Sequence, residues 1–93
     1  PTLKPTTTEA TLKILPNPTS GKFTLEIDLS QNTNGHVLVY DIAGKVLAKV
    51  PHRKWEPGKH SQYFDTSQYP SGTYYVGFIT DHGNWFMPLV VNR

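Results

Sequence analysis

Lys22-Phe23-Thr24-Leu25-Glu26-Ile27-Asp28-Leu29 alternates polar and apolar side chains without a break. Successive side chains of an extended chain point to opposite faces, so Phe23, Leu25, Ile27 and Leu29 share one side while Thr24, Glu26 and Asp28 share the other. A helix would scatter the same residues around its circumference. The stretch is therefore a strand with one face on a core and one in water. Weaker versions of the same period occupy 11–15, 36–42, 45–50, 59–65, 73–80 and 85–91, with Tyr74, Val76 and Phe78 as the inward set of the sixth strand.

Between these segments stand Asn17-Pro18-Thr19-Ser20-Gly21, Asn32-Thr33-Asn34-Gly35, Ala43-Gly44, Pro57-Gly58, Pro70-Ser71-Gly72 and Asp81-His82-Gly83-Asn84. Gly, Pro, Asn and Asp favour turns, each for its own steric or hydrogen-bonding reason, so these clusters are expected to be the connections between strands. Of the 7 glycines only Gly77 falls inside a strand segment, where a bulge or a close backbone approach would require it.

The chain has 93 residues, with 9 Lys plus Arg, 7 Asp plus Glu, 8 Pro, 1 Met and no Cys. That length holds one small core, which must draw on its 2 Trp, 5 Tyr and 4 Phe as well as its aliphatic residues. Absence of cysteine removes thiolate catalysis, thiolate metal sites and disulfides, and leaves the compartment open. The Pro and Gly content argues against a helical bundle. The expected fold is all-β, a seven-stranded antiparallel two-sheet sandwich of the immunoglobulin or fibronectin kind, without the Cys pair and core Trp of antibody domains. Spacing does not give the strand order. No apolar run approaches the roughly 20 residues of a membrane-spanning helix. Residues 1–9, PTLKPTTTE, have a linker's composition, and the folded domain is expected over 10–93. The start at Pro1, without a basic and then apolar leader, suggests a piece of a longer protein.

Charge is uneven: residues 45–60 carry a net +4, and the segments on either side carry −1 each. Lys45, Lys49, Arg53, Lys54 and Lys59 are thus a candidate patch for an anionic surface, against the plainer expectation of a solvated hairpin. No nucleic-acid-binding module is recognisable, and nucleic acid is not an expected partner. His36, His52, His60 and His82 have no helical i, i+4 pairing and no neighbouring Cys, so no metal site and no cofactor are expected. A Ser67, His60 and Asp65 set can be drawn, as in any chain with this many Ser and His, and catalysis is not expected. Trp55, Tyr63, Tyr69, Tyr75 and Trp85 would make a sugar-stacking face only if several stood exposed on one sheet; core burial or edge covering is the expectation, because a chain this short needs its large side chains for stability.

Five blocks in order carry a more specific message: Ile14-Leu15-Pro16-Asn17-Pro18-Thr19-Ser20-Gly21-Lys22-Phe23, Val39-Tyr40-Asp41-Ile42-Ala43-Gly44-Lys45-Val46, Phe64-Asp65-Thr66-Ser67, Pro70-Ser71-Gly72-Thr73-Tyr74-Tyr75-Val76 and Leu89-Val90-Val91. Together they resemble the C-terminal sorting domain of type IX secretion substrates in Bacteroidetes. The resemblance implies a non-enzymatic secretion signal that follows an N-terminal cargo domain across the outer membrane. It implies as partners the type IX export machinery and a sortase-like transpeptidase, which commonly removes the domain and attaches the cargo to anionic surface lipopolysaccharide. The implied location is the periplasm in transit, then the cell surface or the medium. An extracellular binding module, for a glycan or a cell-envelope protein, is the alternative function.

Most of the motif residues carry an ordinary structural explanation. Pro16 and Pro18 favour an extended corner in which Asn17 bonds the backbone two residues on, and Gly44 and Asp65 suit tight turns. Gly21, Phe23, Tyr40, Asp41, Lys45, Gly72 and Tyr74 fall equally well into turns and core. The last strand is different: at a sheet edge it offers unpaired backbone groups to a partner strand, or to a second copy in an edge-strand dimer. Pro88, which has no N–H, agrees with an edge position. Phe86, Leu89, Val90, Val91 and Arg93 are therefore the candidates for recognition by the export machinery, with core closure as the other role open to Leu89, Val90 and Val91. The family often has a basic residue just before the terminal apolar triplet; here Pro88 holds that place, leaving Arg93 to supply charge.

Overall fold

The computed structural model describes residues 10–93, and the expected 1–9 linker lies outside the described residues. Seven strands follow one another: β1 (Ala10–Leu15), β2 (Lys22–Leu29), β3 (Thr33–Asp41), β4 (Val46–Trp55), β5 (Gly58–Asp65), β6 (Gly72–Thr80) and β7 (Gly83–Val91). They form a three-stranded sheet ordered β1-β2-β5 and a four-stranded sheet ordered β4-β3-β6-β7, with every strand pairing antiparallel. The pairs β2 with β5 and β3 with β6 are non-sequential, the Greek-key mark of this kind of sandwich.

The period-2 pattern places the core. Phe23, Leu25, Ile27 and Leu29 of β2 are buried, and face Val37, Val39, Tyr74, Val76 and Phe78 of the other sheet. Leu89 and Val91 of β7 and Ile14 of β1 complete the filling. The all-β sandwich and the inward sets of β2 and β6 match the sequence expectation.

Several boundaries shift by a residue or two, and two shift further. The expected turn at Asn32-Thr33-Asn34-Gly35 is strand from Thr33 onward, and the bend lies at Ser30-Gln31. Gly35 serves a close approach instead: a Cβ there would stand 2.5 Å from the Ile79 carbonyl oxygen on β6. β4 also does not stop at Val50 but runs through Pro51 to Trp55. It is an outer strand, so a missing N–H on its free side breaks no ladder bond. Between the pairs Gly35–Arg53 and Val37–Val50, β4 carries one residue more than β3, a bulge that accommodates the proline.

The extension carries Trp55 into the core. Its ring is fully buried, edge-on to Phe78 at 5.6 Å, and its Nε1–H donates to the Gly35 carbonyl at 3.0 Å. Arg53 lays its guanidinium 3.7 Å from the same ring. Trp85 packs partly buried against the core. The sugar-stacking face therefore lacks Trp55, because a small core needs its largest side chain inside. Gly77 is explained by a side chain rather than by a bulge: a Cβ would lie 3.0 Å from the Phe86 ring, which covers it from β7.

The β3–β4 hairpin is closed by two backbone bonds, from Asp41 N–H to the Lys45 carbonyl at 3.0 Å and from Gly44 N–H to the Asp41 carbonyl at 2.9 Å, and by one carboxylate. Asp41 Oδ1 accepts from the N–H groups of Ala43 and Lys45, both at 2.9 Å, and Gly44 takes φ 88° within that turn. A residue with a Cβ is strained at such a φ. Replacing Asp41 by Ala should lower stability by about 1 kcal/mol, while Asp41→Asn, which keeps an acceptor, should lower it less. Urea unfolding tests this: the midpoint should fall with the slope unchanged.

Candidate functional site

β7 lies at the edge of the four-stranded sheet. Its odd-numbered residues Leu89 and Val91 turn inward and are buried, so as folded they present no side chain to a partner. Phe86 and Val90 turn outward and are 54% and 37% exposed, which makes them, with exposed Arg93, the accessible members of the expected recognition set.

The outer edge of β7 is partly covered. Asn17 Nδ2 donates to the Pro88 carbonyl at 3.0 Å, and the Val90 N–H donates to Asn17 Oδ1 at 3.0 Å. Thr19 N–H donates to the Val90 carbonyl at 2.9 Å, and the Asn92 N–H donates to the Thr19 carbonyl at 2.8 Å. Asn17 thus does not bond two residues on, as expected, but reaches residues 71 and 73 positions away. The Leu15–Pro16 and Asn17–Pro18 peptide bonds in this corner are cis. Thr19 is buried, with its hydroxyl donating to the Lys22 carbonyl at 2.9 Å and accepting from Gly21 N–H at 3.2 Å. Backbone groups along an edge strand alternate in direction, so those of Phe86 point outward like those of Pro88 and Val90, beyond the reach of this clasp.

Arg93 is fastened on the other side. Its N–H donates to Ser71 Oγ at 3.1 Å, its Nε donates to the Tyr69 carbonyl at 2.9 Å, and its Nη2 donates to the Thr66 carbonyl. Thr66, itself buried, donates through both N–H and hydroxyl to the Gly21 carbonyl. Tyr74 OH donates to the Pro70 carbonyl at 2.5 Å, a tyrosine corner that fixes the entry into β6. Asp65 Oδ1 accepts from Ser67 N–H at 2.8 Å. That bond, with a further one from the Ser67 hydroxyl and the nearby Lys22 and Arg93 charges, holds the Asp65 carboxyl below its ordinary value.

These contacts bring all the motif blocks to one end of the sandwich. Strand pairing sets Asp41 beside Tyr74, Tyr74 beside Leu89, Gly72 beside Val91 and Lys22 beside Asp65. A bridge between Thr19 and Val91 joins the two sheets there. Ala10 lies at the opposite end, paired with Leu29, which also pairs with Gly58. Ile42, 78% exposed at the tip of the β3–β4 turn, and Val46, 49% exposed, add apolar surface to the motif end. Ile42, expected as the last residue of a strand over 36–42, instead stands in the turn, since β3 ends at Asp41.

The basic residues separate. Lys45 and Lys49 stand exposed in the turn and along β4, with Lys54 further along the same strand. Arg53 is engaged with Trp55, and Lys59 lies on β5 in the other sheet, opposite Asp28. A shallow cleft of about 360 Å³ opens on the three-stranded sheet beside exposed Tyr63, lined by Leu15, Pro16, Lys22 and Asp65 among others. Among the described residues no three His, Cys, Asp or Glu gather as a metal site would require. His36 and His52 do meet, their Nδ1 atoms 3.5 Å apart.

Two outcomes follow. Asn17→Ala removes a donor and an acceptor together and should lower stability by about 2 kcal/mol, with faster hydrogen exchange at Val90 N–H; Asn17→Asp, which keeps the acceptor, should preserve the Val90 protection. For Asp65 the folded value lies below the unfolded one, so its contribution is present above the ordinary carboxylate range and is lost as pH falls through the folded value. Asp65→Asn should flatten that acid limb in melting curves taken across it.

No curated protein matches the chain. A family model described as a secretion system C-terminal sorting domain matches residues 13–92, from within β1 to just past β7. A domain of this kind is a sorting signal rather than a catalyst, works with export machinery on an attached cargo, and leads to the cell surface or the medium. With its sandwich and with all five motif blocks inside the match, the chain belongs to the C-terminal sorting domains of the type IX secretion system.

Proposed function

We propose that residues 10–93 are read as a folded signal at the motif end, and that the export machinery docks there while the cargo extends from the Ala10 end. The observation that carries this reading is the convergence of the five blocks at the end of the sandwich opposite Ala10. A receptor can then grip the signal without meeting the cargo. Ile42, Val46 and Val90 supply exposed apolar surface, and the unclasped edge at Phe86 offers backbone groups for strand addition.

In this proposal the domain passes through the periplasm with its cargo. A sortase-like transpeptidase then cuts within 1–9, and the cargo is joined to anionic lipopolysaccharide. Lys45, Lys49 and Lys54, the basic residues on and beside the outer strand β4, are the ones that would face the anionic surface. The glycan form of the binding-module alternative loses Trp55 from its stacking face.

The test is a reporter fused ahead of residues 1–93, behind a secretory leader, in a bacterium with this export route. Ile42→Glu combined with Val90→Glu places charges on the proposed contact without touching the core, and should lower surface reporter by about tenfold or more. Lys59→Glu, toward the opposite end, should leave export at the parent level. Melting curves of the purified domains establish that the variants fold. Parent-level export of the folded double variant would overturn the docking surface, and failure of the parent fusion to reach the surface would overturn the sorting role itself.

A further inference from the structure

His36 on β3 and His52 on β4 are sixteen residues apart, a spacing that suggests nothing in isolation. The register explains their meeting. Gly35 pairs with Arg53, so the next residue of β3 and the preceding residue of β4 come opposite each other, and the bulge at Pro51 follows at once. The two rings lie 5.7 Å apart between centroids, tilted by 48°, with Nδ1 facing Nδ1 at 3.5 Å.

Two nitrogens bound to one tetrahedral ion at about 2.0–2.1 Å each stand about 3.3–3.4 Å from one another. The observed separation needs almost no adjustment to reach that value. We propose that His36 and His52 form a two-histidine site for a borderline divalent transition cation of the Zn(II), Ni(II) or Cu(II) class, bound through both Nδ1 atoms with water completing the coordination. Binding requires both rings to carry their proton on Nε2, whereas the metal-free contact is a hydrogen bond that needs one Nδ1–H.

The surroundings decide which cations qualify. Lys54 follows His52 by two residues and shares its face, and Lys49 pairs with Leu38, two residues after His36. No carboxylate joins the pair as a third ligand among the described residues. Simple charge attraction is therefore absent, and Mg(II) or Ca(II), which rely on oxygen ligands, have nothing to hold. Imidazole suits the later transition ions, whose bonds to nitrogen do not depend on a negative site. Bound metal would cross-link β3 to the outer strand β4 and stabilise the fold by linkage. The proposal stands apart from the sorting role.

The test uses untagged protein of residues 1–93 at about pH 7.5, where imidazole is ordinarily neutral. Titration with zinc chloride, followed by calorimetry and by the histidine ring resonances, should show one ion per chain. The His36 and His52 signals should move together, while those of His60 and His82 stay in place. His36→Gln and His52→Gln, each confirmed as folded by its amide spectrum, should weaken binding by about tenfold or more; His82→Gln should not, and magnesium chloride should give no response. Unchanged affinity in either of the first two variants, an equal response from all the histidines, or no response to zinc overturns the site.

Discussion

Asn17 holds both the carbonyl of Pro88 and the N–H of Val90, and with the Thr19 backbone it fastens the last strand across the end of the sandwich. β7 has a ladder on only one side, to β6, yet its Leu89 and Val91 fill the space between the sheets. Fastening its outer side from the β1–β2 connection protects the edge from Pro88 to Asn92 and leaves it open at Phe86. The flanking prolines offer no N–H, so the corner presents the Asn17 amide and the Thr19 backbone. Thr19 is buried, and its hydroxyl is satisfied by Lys22 and Gly21, so the clasp adds no unpaired polar group to the interior. Hydrogen bonds thus join two sheets that elsewhere meet through apolar side chains.

Local pattern made most of this fold legible. Lys22–Leu29 has the bounds its alternation predicts, and so do the inward residues of β6, because period 2 is a property of the chain itself. The errors fall where local chemistry and tertiary context disagree. Asn32-Thr33-Asn34-Gly35 has turn chemistry, yet Gly35 is needed where β3 meets β6 without room for a Cβ. Pro51-His52-Arg53-Lys54 has loop chemistry, yet β4 lies on the outside of its sheet and tolerates both a proline and charge. The burial of Trp55, the largest fully buried side chain, follows the expectation that a small core needs its large aromatics, although the strand that carries it there runs past the expected end.

The candidate site was less legible for a related reason. The edge position of β7 could be anticipated from Pro88, and the exposure of Phe86 and Val90 agrees with it. The partners of Asn17 lie more than seventy residues away, and nothing in the composition around Pro16 or Pro18 points to Val90. The meeting of His36 with His52 likewise depends on a register that becomes visible only once β4 is known to pass through Pro51.

Motif residues that serve mainly as scaffold are compatible with a recognition role, because a receptor for a folded signal reads positions that turns determine. Asp41 sets the tip that carries Ile42, Asn17 and Thr19 set the height of Val90 on the edge, and Arg93 ties the chain end to the Thr66–Tyr69 turn. Loss of any one would shift the exposed apolar surface without removing Ile42, Phe86 or Val90 from it. An unfolded tail with the same Leu89-Val90-Val91 would offer its apolar side chains to any chaperone or membrane, whereas the clasp hides Leu89 and Val91 and leaves Val90 outside. Specificity then comes from what folding conceals as much as from what it displays. A signal built this way displays its surface only once residues 10–93 have themselves folded.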